Sequence, residues 1–552
     1  MGLRTCYIVL LFVISLQGYG SSQSDSRIYL SFNQPKYAVG DTAYFKAYYL
    51  SAKNRKVPGK VILSFDLIDA EGRSVVHFRF NVFDGIGQNQ FAIPDSLSSG
   101  YFNAVVYTKS MPTGEMITLS ENQILIVKKE GVQAESRHEL PMQTDHLILM
   151  RSDKTIYQTR EKVQVEVQLL DQSRQPISGE FSVRVLNTRL FPNQLGEGRL
   201  SIEAPISTME NQQINVGTMI KKVGVAHLND GKTATEGSLV MFYLQKSKWR
   251  YQTQIQSNGQ ILLTLPDIYE PDELFYLSVS PKGKPLHELR ITWNERSKPP
   301  LPKPQISHIT QQSDLYASFA KEVMIINRSY GFFTTPEFAA IQNLKTFRSI
   351  EEEIKEADLT FTVDDYISFP TMGELIKEVV RPLYYGDKRR GKVVRMRSLD
   401  RPAVDDPVYL IDGVVTKNTD FFLSLIPDDV LEIKIIRDTR KLLRFGLMGR
   451  NGIVIVNTKT GDAREPVDPN ELVEGLSRPI VFPYSNYADS QSDQVPNFRT
   501  CLYWNPSIIT DESGKGEIDF YLSDDVGEMI IQVDGINDQG ECFSTSLGVN
   551  VD

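Results

Sequence analysis

Cysteine is scarce: Cys6, Cys501 and Cys542 are the three in 552 residues. That excludes a disulfide-dense secreted scaffold and any four-cysteine zinc site. Histidine is nearly as rare, with six scattered copies of which only His138 and His146 lie near each other. No HExxH, CxxC or GxSxG pattern occurs, which removes common zinc-protease, redox and serine-hydrolase signatures. Asp230-Gly231-Lys232-Thr233 has the form of a phosphate-loop end, but Ala226 stands where the first glycine is needed. Cationic excess is missing too: 60 Lys+Arg against 69 Asp+Glu give a formal net charge of −9, which argues against nucleic-acid binding. No stretch after the N-terminal segment reaches the ~18 consecutive apolar residues of a membrane helix. The mature chain is therefore expected to be soluble or peripherally held. No catalytic, cofactor or metal residue is assigned, and the chain is expected not to be an enzyme.

What is present begins with an address. Arg4 precedes an apolar run over 7–16, and Gly18, Gly20, Ser21 and Ser22 supply small residues for cleavage. Residues 1–20 read as a secretory signal peptide, too short to span a bilayer. Cys6 precedes that run, which leaves Cys501 and Cys542 as either a disulfide in an oxidising compartment or two buried thiols. The length predicts three to five domains.

From 27 onward the chain reads as β-structure. Arg27-Ile28-Tyr29-Leu30-Ser31-Phe32 and Thr42-Ala43-Tyr44-Phe45-Lys46-Ala47-Tyr48-Tyr49-Leu50 flank a turn-like segment, and further short strands follow. Such spacing predicts an antiparallel sandwich over 27–130. The order Pro35-Lys36-Tyr37, Gly40-Asp41, Phe45-Lys46-Ala47-Tyr48 resembles the MG2 domain of macroglobulins. That resemblance implies a spacer or docking surface. Neither remaining cysteine has the Cys-Gly-Glu-Gln context of a macroglobulin thioester. A similar order starts at Leu147, with Val163, Val165, Val167 and Leu169 on one strand face, so 145–296 is expected to hold a second sandwich. Four prolines in 297–304 mark a semi-rigid linker over 297–306. Leu315, Phe319, Val323 and Ile326 at helical spacing open a helical connector over 307–368.

The stretch 407–461 carries the most information. Val408-Tyr409-Leu410-Ile411 runs into Asp412-Gly413, and Arg450-Asn451-Gly452 runs into Ile453-Val454-Ile455-Val456. These are buried strands bounded by tight turns. Upstream, Thr371 and Glu374 have capping-box spacing before an apolar stripe of Met372, Leu375, Ile376, Val379 and Val380. Together with 426–437, this order resembles the plug domain of TonB-dependent outer-membrane receptors over 369–461. It departs at Met396-Arg397-Ser398, where such plugs usually show Arg-Gly. The residues 462–552 are too few for a receptor barrel of roughly 22 strands. They read as a C-terminal β-sandwich over 480–552, with Ile518, Phe520 and Leu522 inward.

The expected fold is mainly β and multidomain: tandem immunoglobulin-like or macroglobulin sandwiches, one α+β plug-like domain and a C-terminal β-domain, without a transmembrane barrel. Asp412, Gly413, Arg450, Asn451 and Gly452 are partner-contact candidates. The pairs Asp364-Asp365, Asp405-Asp406, Asp428-Asp429 and Asp524-Asp525 suit turns and caps better than metal. The basic run 388–392, with Arg395, Arg397 and Arg401, reads as a solvated loop, with anionic lipid or an acidic partner as the alternative. The resemblances imply an exported envelope protein, periplasmic or held at the outer membrane or cell surface, that docks or scaffolds other envelope proteins. One alternative is an accessory of TonB-dependent uptake acting in trans on a separate barrel. A second is a macroglobulin-like protease inhibitor without a thioester.

Overall fold

The structure is a computed structural model that describes residues 26–51, 55–109, 116–128, 133–134, 147–171, 173–191, 219–247, 249–282, 284–286, 289–294, 301–304, 309–310, 315–330, 337–339, 357–388, 391–397, 403, 405–463, 470–487, 495–537 and 542–552. The signal-peptide reading of 1–20 lies outside them. It is mainly β. Among the described residues no helix is long and apolar enough to cross a membrane, and the sheets enclose apolar cores.

The first sandwich forms as the alternation predicts. Eight strands between Arg27 and Val127 share one antiparallel-rich sheet wrapped around its own core. Phe45, Phe65 and Phe91 centre that core, with Phe65 stacked on Phe78 at 4.7 Å. Aromatic pairs at such separations add to area burial.

The second sandwich corrects the expected domain division. Its smaller sheet aligns Leu147–Ser152, Lys162–Leu170 and Lys515–Tyr521, with Val163 opposite Phe520 and Val165 opposite Ile518. In its larger sheet, Gly179–Asn187 lies between Gly527–Asn537 and Cys501–Ile509. The expected C-terminal domain over 480–552 is therefore the other half of the domain that opens at Leu147. The two halves share one core, from Val163 and Val183 to Ile531 and Val549. Periodicity marks a strand but not its partner. Loop-closure entropy also grows slowly, about 0.6 kcal/mol per doubling, so a distant partner is affordable.

The same topology separates the two readings of the cysteines. Cys501 is a free, buried thiol. Its strand stands three ladders from Cys542–Val551 in the larger sheet, and Cys542 pairs with Ile536 at the far end from Leu186, the register partner of Cys501. Strands are ~4.8 Å apart, well beyond the ~7 Å Cα limit for a bridge when crossed three times. Burial pushes the Cys501 thiol up to about 12. We expect Cys501 to resist alkylation at pH 8 while folded and to label, without prior reduction, once denaturant unfolds the chain. Mass spectrometry of labelled peptides checks this.

Between the two halves lies a third sandwich. One sheet joins Ile220–His227, Gln260–Leu265 and Arg290–Trp293. The other joins Leu239–Leu244, Arg250–Gln254, Asp272–Val279 and the late strand Glu471–Val473. The expected second sandwich over 145–296 is thus split between two domains.

The described parts of the connecting segments are packed, and residues 297–300 and 305–306 of the expected linker lie outside the described residues. Leu301 of the proline-rich linker lies against Ile68, Val105 and Tyr107, and Asn103 donates to the Pro302 carbonyl at 3.1 Å. The helix Leu315–Ser329 appears where predicted and wedges Tyr316, Phe319 and Ala320 between the first and second sandwiches. Residues 340–356 of the expected helical connector lie outside the described residues. Phe338 itself is extended and bridges Ile480.

Candidate docking unit

The α+β unit is built on a five-stranded sheet ordered Leu359–Thr362, Val430–Ile436, Ile453–Thr458, Val408–Ile411, Val414–Thr416. Its first strand lies upstream of the expected boundary at 369. The short alternation Leu359-Thr360-Phe361-Thr362 is only half-buried at the sheet edge, so it carries a weak signal. The helix Met372–Glu378 forms as expected, with Thr371 Oγ1 accepting from the Glu374 N–H at 3.3 Å.

Both faces of this sheet are buried, by different neighbours. Tyr409, Ile411, Val454, Val456, Ile433 and Ile435 face the unit's own helices and the hairpin Leu383–Lys388/Gly391–Met396. Val408, Leu410, Ile453 and Ile455 face the third sandwich and pack on Leu239, Met241 and Tyr243. That partner strand, Leu239–Leu244, is also buried on both faces: Val240, Phe242 and Leu244 point into its own core. Burial on both faces explains the continuous apolar runs, since neither strand needs a polar side.

The contact candidates occupy two separate ends. Asp412-Gly413 closes the hairpin between Val408–Ile411 and Val414–Thr416, with φ of 43° and 83°. Positive φ at both central residues is the geometry that favours Asp-Gly in a two-residue hairpin. The Asp412 carboxylate accepts from the backbone N–H groups of Thr458 at 2.7 Å and Ala463 at 2.9 Å, and from the Thr458 hydroxyl. The Gly413 carbonyl accepts from the Tyr243 hydroxyl of the third sandwich.

Arg450, Asn451 and Gly452 lie at the opposite end, where Ile453 pairs in parallel with Val408. Arg450 is exposed and donates to the Lys282 carbonyl at 3.4 Å, while Asn451 is buried. Gly452 has φ of 88°, and a Cβ there would stand 2.6 Å from Met396 Cε. Met396 opens the stretch Met396-Arg397-Ser398, where the sequence departs from the usual plug pattern. The Arg250 guanidinium lies 4.4 Å from the Phe445 ring centre and strengthens the same seam. The five candidates do not form one surface: Gly413 and Arg450 touch this chain's own third sandwich, and Asp412, Asn451 and Gly452 hold the two turns.

Asp412 is an anchor, so its variants can be ranked. Asp412→Ala combines a positive φ on a Cβ residue with lost acceptors and is expected to cost about 1–3 kcal/mol. Asp412→Asn tolerates the conformation and keeps part of the bonding, so it is expected to fall between. Thermal unfolding of both variants measures the order.

The carboxylate pairs lie in turns or ion pairs. Asp364-Asp365 and Asp428-Asp429 sit in 3-10 turns, Asp406 is paired with Arg395, and Asp524 with Arg160. No cluster of three or more potential metal ligands occurs among the described residues. Within the basic run, Lys388 and Gly391 close a hairpin, and residues 389–390 lie outside the described residues. What sequence reading missed is the exposure of Ile367 and Ile426 beside the acidic turns. An isolated isoleucine carries no periodic signal.

No family model matches the chain. Among curated proteins it is similar to TonB-dependent receptor P26 of Formosa agariphila, 40% identical over 92 residues, which is 16% of this chain and 9% of the receptor. Among solved structures, native Escherichia coli alpha-2-macroglobulin aligns at 9% identity over 97% of this chain and 40% of that one, with a TM-score of 0.25. Salmonella alpha-2-macroglobulin reacted with methylamine aligns at 9% identity over 96% and 40%, also at 0.25. The Yersinia pseudotuberculosis adhesin InvE aligns at 11% identity over 50% and 60%, at 0.16. The chain thus spans under a tenth of the receptor and about two fifths of the macroglobulins.

Proposed function

We propose that this chain is an exported, non-enzymatic envelope protein whose sandwiches hold a plug-like unit in place for protein partners at the outer membrane. The observation that carries the reading is the seam between that unit and the third sandwich, where Val408, Leu410, Ile453 and Ile455 are buried against Leu239, Met241 and Tyr243. Apolar side chains of this size contribute about 1.5–3 kcal/mol each when fully buried. The unit is therefore presented as part of a frame rather than on a free tether. The similarity to a TonB-dependent receptor, at 40% identity over 92 residues, supports an envelope setting.

That similarity also favours a second reading, in which the unit serves TonB-dependent uptake by acting on a separate barrel. If it entered a barrel alone, it would first have to uncover the four residues buried in the seam, so presentation in place is preferred. Fractionation of the producing cells, followed by affinity capture of the full chain from solubilised envelopes, tests both. Recovery in the cytosol would sink the envelope reading. Stoichiometric co-purification of a TonB-dependent barrel would replace partner-neutral scaffolding with the uptake reading.

A further inference from the structure

We propose that one end of the α+β unit, carrying Tyr366, Ile367, Ile426 and Leu431, docks an extended partner segment in which cationic and apolar side chains alternate. This deepens the docking reading above and rests on it. The four side chains are 45%, 79%, 61% and 43% exposed, in a unit whose other large apolar side chains mostly fill its core or its seam. They come together because the 3-10 turns Val363–Asp365 and Pro427–Asp429 meet at this end of the sheet. The Ser368 hydroxyl ties them by donating to the Asp428 carboxylate at 2.8 Å. Leu431 joins them at the register shift between Val430 and Glu432, where a bulge turns an extra residue out of the ladder. A single exposed isoleucine is ordinary, but a group at one end of a domain marks an interaction surface.

Charge and backbone select the occupant. The two turns carry the carboxylates of Asp364, Asp365, Asp428 and Asp429, with Lys459 paired to Asp364 at 2.7 Å. This surface attracts cationic side chains and opposes anionic lipid. The strand leading into it, Leu359–Thr362, pairs on one side with Val430–Ile436 and is an outer strand of its sheet among the described residues. An outer strand offers backbone N–H and C=O groups to an added strand, whose alternate side chains then fall on one face. An extended segment uses the edge, the isoleucines and the carboxylates together.

Fluorescence anisotropy with the full chain tests this, using a short labelled peptide that alternates lysine and valine. Saturable binding that weakens as salt rises is expected. Ile367→Ser/Ile426→Ser is expected to weaken it about tenfold or more, because the patch loses apolar contact area. Both side chains are mostly exposed, so thermal unfolding should stay unchanged. A peptide N-methylated at alternate residues should bind poorly in one of its two registers. The proposal is overturned if the lysine peptide does not bind, if a glutamate-valine peptide binds as well, or if the double variant binds like the parent. Vesicle binding that replaces peptide binding and is lost in the double variant would reassign the patch to lipid. Failure of the peptide with envelope partners still captured would leave the docking reading standing and remove this end as its site.

Discussion

Glu180→Gln is expected to destabilise the contact between the first and second sandwiches by about 3–5 kcal/mol, the scale of a buried charge left without its partner. Lys46, on the first sandwich, is fully buried and donates to Glu180 of the second at 2.8 Å. Lys56 reaches the other carboxylate oxygen at 2.9 Å, and the Ser507 hydroxyl donates at 2.8 Å. Glutamine removes the counter-charge while the Lys46 ammonium stays enclosed. Lys46→Met should cost less, because Glu180 keeps Lys56 and Ser507. Lys46→Met/Glu180→Leu should recover much of the loss, as apolar replacements of buried pairs often do. The first urea transition reads these differences in a multidomain chain.

The same node gives a pH signature. Burial acts to raise Glu180, but Lys46 and Lys56 outweigh it and hold the carboxyl at about 2 against an ordinary 4.5. Its stabilising contribution is therefore complete above pH 4.5 and falls away as pH drops toward 2. Lys46 shifts in the same direction for the opposite reason: burial, opposed by Glu180, brings it to about 8 from 10.5. Between those values the unfolded chain binds a proton that the folded chain lacks, so this group's term rises with pH. Glu180→Gln should flatten the acid limb of the stability curve. An acid limb identical to the parent's would show that this carboxylate does not govern it.

Leu410→Asp is expected to part the α+β unit from the third sandwich. Leu410 is 5% exposed within the apolar seam, so an aspartate there is an unpaired buried charge costing about 3–5 kcal/mol. The unit's own core lies on the other sheet face, around Tyr409 and Ile411, and should persist. Hydrogen exchange should accelerate at 239–243 and 408–411 and stay slow at 163–169 in the second sandwich. Unchanged protection across the seam would refute its role in holding the unit.

Local features were legible where one environment dictates many residues in a row. The double-sided burial of Val408–Ile411 and Ile453–Thr458 produced apolar runs that no loop would carry. Thr371 and Glu374 marked a helix start that the backbone confirms. Partnership was not legible. Lys162–Leu170 reads as a half-buried strand whatever strand lies beside it, and nothing in its alternation names Lys515–Tyr521. The Cys501–Cys542 question stayed open for the same reason, because sequence proximity does not reveal the two strands that stand between them. The contact candidates were correctly placed at turns. Whether a turn meets solvent or another domain depends on packing, and Tyr243 covers Gly413 from 170 residues away.

The divided second sandwich sets an order of events for the nascent chain. Gly179–Asn187 leaves the ribosome long before its neighbours Cys501–Ile509 and Gly527–Asn537, and Arg184 and Gln532, joined at 2.8 Å, are 348 residues apart. Until those late strands arrive, the early ones have unpaired edges that invite chaperones, proteases or strand exchange with another copy. The first sandwich, the third sandwich and the α+β unit can condense in the meantime. A product truncated near residue 500 would lack Cys501–Ile509, Lys515–Tyr521, Gly527–Asn537 and Cys542–Val551, and would leave both sheets of the second sandwich open.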